Sequence, residues 1–78
     1  MHERVLVTGA GGFLGSHICS YFGQQGHSIA AIDRVSVPSE TVDLYPNLRN
    51  FYAMDLPDKI LISIISEFQP TLLIHCAG

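Results

Sequence analysis

Apolar residues in this chain gather in short unbroken runs separated by longer stretches with helical spacing. Val5, Leu6 and Val7 form one run, and Ile29, Ala30, Ala31 and Ile32 another. Phe51, Tyr52, Ala53 and Met54 form a third, and Leu72, Leu73 and Ile74 a fourth. Runs without polar alternation predict strands covered on both faces, as in parallel sheets. They place strands at 4–8, 28–33, 50–54 and 71–75, the second ending on Asp33 and the third closed by Asp55. Between the first two, Leu14, Ile18, Tyr21 and Phe22 recur at helical spacing while Ser16, Ser20 and Gln24 fall elsewhere. That predicts a helix over 13–25, stopped by Gly26. Ile60, Leu61, Ile64, Ile65 and Phe68 predict a second helix, with its first turn at Pro57 or Asp58 and its end before Pro70. Residues 34–48, with Pro38 and Pro46, read as a loop.

This alternation implies an α/β fold with a parallel sheet and right-handed crossovers. A strand order of 3-2-1-4 puts one helix on each face, the incomplete form of a Rossmann-type sheet. Ligands of such sheets lie beyond the carboxyl ends of the strands, where the order reverses. Residues 9–15 and 76–78 then border one crevice.

The turn after the first strand carries the strongest chemical signal. Gly9, Gly12 and Gly15 form G-x-x-G-x-x-G, whereas G-x-G-x-x-G would need glycine where Leu14 stands. No Gly-Lys-Ser/Thr follows, so a Walker A loop is excluded. A strand turning through glycines into a helix leaves the first helical N–H groups unpaired at the positive end of the helix dipole, a site suited to pyrophosphate. Gly9 suits the tight turn, Gly12 a close approach to phosphates, and Gly15 close packing of the helix. Asp33, eighteen residues past Gly15, can accept hydrogen bonds from both hydroxyls of an adenosine ribose and would repel a 2′-phosphate. It favours NAD over NADP, while the neighbouring Arg34 could accommodate that phosphate. Asp55, with Leu56, stands where a carboxylate either meets the adenine amine or caps the second helix.

The chain of 78 residues allows one small domain, and its 47% apolar content supplies ample core. A net charge of −3 argues against general nucleic-acid binding, because no basic patch is present to release counterions. No apolar run reaches the ~18–20 residues of a membrane span. The two cysteines, Cys19 and Cys76, form no disulfide framework and suit a reducing, cytoplasmic setting. Met1 runs almost directly into a strand pattern, which predicts a true start without a secretory signal, while the other end does not read as a true stop. His2, His17 and His27 lack zinc-like spacing, so no metal is expected. His75 reads as a packed strand-end residue, and Cys76 as a small core residue without a base partner.

Taken together, Thr8-Gly-Ala-Gly-Gly-Phe-Leu-Gly-Ser-His17, Gly26-His27, Asp33, Asp55-Leu56 and His75-Cys-Ala-Gly78 resemble the extended short-chain dehydrogenase/reductase family. Within it, the similarity is to the NAD-dependent epimerase/dehydratase group of nucleotide-sugar enzymes, UDP-glucose 4-epimerase among them. The resemblance implies that amides of Gly12, Phe13 and Leu14 hold the pyrophosphate and Asp33 the ribose. It also implies that Asp55 and Leu56 meet the adenine and that Ala77 lies along the cofactor. The parent would act on a nucleotide sugar, and its assembly as a homodimer is open.

One departure limits what these residues can do alone. The family works through a Tyr-x-x-x-Lys pair, yet the only lysine is Lys59, and the residues four past Tyr21, Tyr45 and Tyr52 are Gln25, Arg49 and Leu56. The chain therefore reads as the N-terminal part of a dinucleotide-binding domain, residues 1–78, without catalytic or substrate-binding parts. A non-catalytic dinucleotide sensor or interaction module is the competing reading, and a remnant that binds nothing is a third.

Overall fold

A computed structural model of the chain describes residues 2–34, 45–54 and 59–76. Within them the elements run β1 (Arg4–Thr8), α1 (Phe13–Gln24), β2 (Ser28–Asp33), β3 (Leu48–Ala53), α2 (Ile60–Phe68) and β4 (Leu72–His75). The strands form one parallel sheet in the order β3-β2-β1-β4. The unbroken apolar runs account for this: β1 and β2 sit at the centre and must be covered on both sides. Val5, Leu6, Val7 and residues 29–32 are completely buried.

The two faces carry separate cores. Val5, Val7, Ile29 and Ala31 pack under α1 with Ala10, Cys19 and Tyr45. On the opposite face Leu6, Ala30 and Ile32 pack with Ile64 and Phe68 of α2. One helix on each face is the Rossmann-type arrangement that the element order predicts.

Local chemistry sets the helix ends. At the end of α1, the Gly26 amide donates to the Gly23 carbonyl (3.0 Å) and the His27 amide to the Phe22 carbonyl (3.1 Å). This is a Schellman closure, made possible by the left-handed φ of +89° at Gly26. Gln69 ends α2 in a left-handed turn, donating to the Ile65 carbonyl at 2.8 Å. Arg4 reinforces that end: its Nε donates to the Phe68 carbonyl (2.6 Å), and its guanidinium lies 4.7 Å from the centre of the Phe68 ring. A cation there meets the negative end of the helix dipole.

The inward face of α1 differs from the apolar-periodicity reading. Leu14 and Tyr21 are exposed, and the buried stripe runs through Gly15, Cys19 and Gly23. The stripe is made of small residues because the helix lies unusually close to its surroundings. A Cβ on Gly15 would strike the Gly9 carbonyl, and one on Gly23 the Pro46 carbonyl. Hydropathy ranks large residues as inward-facing and misses a surface where only small ones fit. On α2, Ile60 and Ile65 are likewise exposed, leaving Ile64 and Phe68 as the buried pair.

The third strand also starts earlier than position 50. Asn47, at φ 60°, turns the chain so that its carbonyl accepts the Ile29 amide (3.1 Å) and pairing begins at Leu48. Tyr45, within the stretch read as loop, is buried under α1 with its hydroxyl donating to the Ala10 carbonyl at 3.3 Å. Helix α2 begins at Ile60 and β4 at Leu72, and the proposed helix starts Pro57 and Asp58 lie outside the described residues.

Candidate functional site

At the carboxyl end of β1 the chain leaves Thr8 and turns through Gly9, whose φ of +70° is left-handed. The Gly12 amide donates to the Gly9 carbonyl (3.1 Å) and closes the turn, and the Ser16 amide donates to the Gly12 carbonyl (2.9 Å) and opens α1. The Ala10 amide donates to the Ile32 carbonyl at 3.0 Å, pinning the turn to β2. The amides of Phe13, Leu14 and Gly15 have no acceptor among the described residues. Gly12, at the N-cap position, brings no side chain to cap them, and the first turn of α1 holds no acidic residue. A missing cap costs a helix about 1 kcal/mol, and an anion at this end would recover it.

The glycines therefore divide their work. Gly9 supplies the left-handed turn. Gly15 is required by the protein's own packing, since an added Cβ would meet the Gly9 carbonyl and the Ala10 Cα. It packs against its own turn rather than against a neighbouring strand. A Cβ on Gly12 would meet only the Gly9 oxygen at 3.4 Å, an ordinary contact, so the chain itself makes little demand for glycine there. Its amide is engaged in the turn, whereas those of Phe13, Leu14 and Gly15 are not.

Asp33 joins this turn directly. Its Oδ2 accepts the Gly11 amide at 2.8 Å, and its backbone carbonyl accepts the Met54 amide at 2.7 Å. Strand pairing alone would put Asp33 at the tip of β2; the Gly11 bond holds its carboxylate against the glycine turn. Arg34 follows and is exposed. On the other side of β1, the Cys76 amide donates to the Thr8 carbonyl (2.9 Å), and Thr8 Oγ1 lies 2.6 Å from His75 Nδ1. That bond gives the buried Thr8 hydroxyl a partner and ties the tips of β1 and β4 together. Asp55, Leu56 and Ala77 lie outside the described residues.

Cysteine chemistry at this end is quiet. Burial, with a lesser contribution from Cys76, pushes the Cys19 thiol up to about 12, so it stays protonated and inert at neutral pH. Tyr45 is also raised above its usual range, by burial first and then by Cys19. Among the described residues, no group of three His, Cys, Asp or Glu could hold a metal ion. No helix among them is long and apolar enough to cross a membrane.

The profile of the NAD dependent epimerase/dehydratase family matches residues 5–78. The chain belongs to that family. UDP-glucose 4-epimerase of Mycolicibacterium smegmatis is 31% identical over 82 residues, covering 96% of this chain and 25% of the relative. A probable dTDP-glucose 4,6-dehydratase of Sinorhizobium fredii is 34% identical over 80 residues, covering 96% and 23%. Among solved structures, the Bordetella bronchiseptica enzyme WbmG in complex with NAD and UDP superimposes with a TM-score of 0.86 at 30% identity, over 100% of this chain and 26% of that one. The UDP-glucose-4-epimerase of Stenotrophomonas maltophila, with bound NAD and formylated UDP-arabinopyranose, gives 0.83 at 28%, over 99% and 25%. The chain thus spans about a quarter of the length of these family members.

Proposed function

We propose that residues 1–78 are the NAD-binding N-terminal part of a nucleotide-sugar epimerase or dehydratase. The observation that carries this reading is the set of unpartnered amides at Phe13, Leu14 and Gly15 beside a carboxylate bonded to the same glycine turn. The amides would bind the pyrophosphate of NAD, and the open side of Gly12 would let it approach the backbone. Asp33, held by Gly11, would take the adenosine ribose hydroxyls and disfavour a 2′-phosphate, with Arg34 the residue next to that position. Asp55 and Leu56 are proposed for the adenine and Ala77 for the length of the cofactor. NAD, when bound, would supply the acceptor for a hydride from a sugar carbon.

The chain's own part in that reaction is to bind and orient. A hydride leaving a carbinol carbon requires a base for the hydroxyl proton, and no Tyr-x-x-x-Lys pair is present in these residues. By themselves they are expected to be catalytically silent. The parent is proposed to act in the cytoplasm on a nucleotide sugar, as a homodimer, with neither nucleic acid nor membrane as partner. Free thiols and a net charge of −3 support that setting.

Calorimetric titration with NAD tests the reading. Saturable binding is expected, weakened about tenfold or more by Asp33→Asn, since lost charge-assisted hydrogen bonds are worth ~1.5–3 kcal/mol. The same variant should narrow the preference for NAD over NADP. Absence of saturable heat with either dinucleotide would overturn the proposal. Appearance of NADH absorbance with nucleotide sugars would overturn the claim of silence.

A further inference from the structure

The opposite end of the sheet, where the strands begin, carries a second polar site. A groove of about 370 Å³ opens there, lined by His2, Arg4, Ser28, Arg49, Asn50, Tyr52, Glu67 and Phe68. Its position at the amino ends of β1, β2 and β3 separates it from the glycine turn by the length of the strands. It brings together two arginines, half the cationic side chains of a chain with only four Lys and Arg.

Both guanidiniums donate through Nε, Arg4 strongly and Arg49 through a longer bond. Arg4 Nε donates to the Phe68 and Gln69 carbonyls (2.6 and 3.3 Å), and its Cζ lies over the Phe68 ring. Arg49 Nε donates to Ser28 Oγ at 3.4 Å. Ser28 is itself held: its Oγ lies 3.0 Å from His2 Nε2, and His2 Nδ1 donates to the Gly26 carbonyl at 2.9 Å. Arg49, Ser28, His2 and the Gly26 carbonyl thus form one hydrogen-bonded chain. The ladder between β2 and β3 steps from Ile29–Leu48 to Ala30–Asn50 and skips Arg49. An extra residue in a strand re-aims a side chain, and here it is an arginine that lines the groove.

The terminal nitrogens of both arginines have no acceptor among the described residues, and neither arginine forms an ion pair there. Glu67, the one carboxylate lining the groove, is paired with neither. Guanidiniums that donate through Nε keep their outer N–H groups for a ligand, and Arg4, seated on Phe68, has little conformational freedom left to lose on binding. That donor pattern matches the oxygens of a phosphate group, which arginine binds through paired N–H bonds. A volume of about 370 Å³ exceeds what a bare phosphate needs, and the Tyr52 ring adds an apolar wall.

We propose that this groove binds a phosphate monoester of a small organic molecule, through Arg4 and Arg49, at a site independent of the dinucleotide turn. The test titrates the intact protein with inorganic phosphate and, separately, with glycerol 3-phosphate, following backbone amide and arginine Nε–H resonances. Saturable shifts are expected at Arg4, Ser28, Arg49 and Asn50, with the monoester binding more tightly, on the order of 1 mM or below. Arg49→Gln should weaken binding tenfold or more without altering the melt, because Arg49 is exposed and bonds only Ser28. Arg49→Lys should restore only part of it. Tighter binding of bare phosphate than of the monoester would overturn the organic part. Shifts confined to residues 13–15, no saturation by ~20 mM, or unchanged affinity in Arg49→Gln would overturn the site, and none of these results bears on NAD binding.

Discussion

The two halves of the sheet are built to different standards of closure. In β1-α1-β2 every strand residue from Val5 to Val7 and from Ile29 to Ile32 is completely buried, and the turn between β1 and α1 is pinned at Ala10 and Gly11. In α2-β4, Leu73 is 58% exposed and Ile62 75%, and Ile60 and Ile65 also face solvent. Strand β4 pairs with β1 along one side, and among the described residues no strand pairs with its other side. The first half is therefore closed around its glycine turn by its own contacts, whereas the second presents an apolar surface and an open ladder. The closed half fixes the unpartnered amides of Phe13, Leu14 and Gly15 in place, as the proposed pyrophosphate site requires.

Paired truncations give the largest effect that could break this contrast. Leu6→Ala should cost about 2–5 kcal/mol, enough to unfold a domain whose core supplies only ~3–5 kcal/mol. Leu73→Ala should change stability by less than about 0.5 kcal/mol. Urea melts of both variants read the difference, and equal losses would mean that closure is shared. Next in size, Gly15→Ala should cost about 1–3 kcal/mol, because its Cβ is driven into the Gly9 carbonyl and α1 must shift. Gly12→Ala, where the added atom meets an ordinary contact, should leave the melt nearly unchanged yet lower NAD affinity, because the methyl stands where the pyrophosphate would approach; an unchanged affinity would reassign that glycine.

An effect of comparable size is expected from pH. Burial, with Cys76 adding to it, pushes the folded Cys19 thiol up to about 12, against an ordinary thiol value of 9.0. Folding therefore favours the protonated form, and the stability tied to it is complete below pH 9 and lost as pH rises from 9 toward 12. Melts between pH 8 and 11 should show this decline, and Cys19→Ala should flatten it. If the decline persists unchanged in the variant, another group is responsible. The smallest effect on stability belongs to Leu73→Lys, which places a charge beside the open edge. Sedimentation of the 78-residue chain should show concentration-dependent association, reduced by this variant while the melting temperature moves little.

Much of the architecture was legible from pattern alone. Unbroken apolar runs announced a parallel sheet, glycines at 9, 12 and 15 announced a turn with exposed amides, and Asp33 stood at the end of the second run. These features are local, dictated by φ/ψ preferences and by the spacing of apolar residues within a few turns of chain. Which amides the turn itself engages was not legible locally, because only the closed turn shows the Gly12 amide bonded to Gly9 and those of Phe13, Leu14 and Gly15 without an acceptor among the described residues. Nor was the inward face of α1, where close approach selects Gly15, Cys19 and Gly23 over larger neighbours.

Contacts between residues far apart in the chain belong to the tertiary structure. Asp33 reaches Gly11, Tyr45 is buried against Ala10, and Arg4 caps a helix ending at Phe68 only because strand order brings those segments together. The same holds for Arg4 and Arg49, forty-five positions apart, which line one groove once β1 and β3 flank β2 and the ladder skips a residue. Sequence by itself determined the order of elements and the chemistry of the turn, since both follow from short-range sterics and periodicity. Which side chains meet, and so which polar groups are engaged or left for a ligand, was decided by the packing of the sheet.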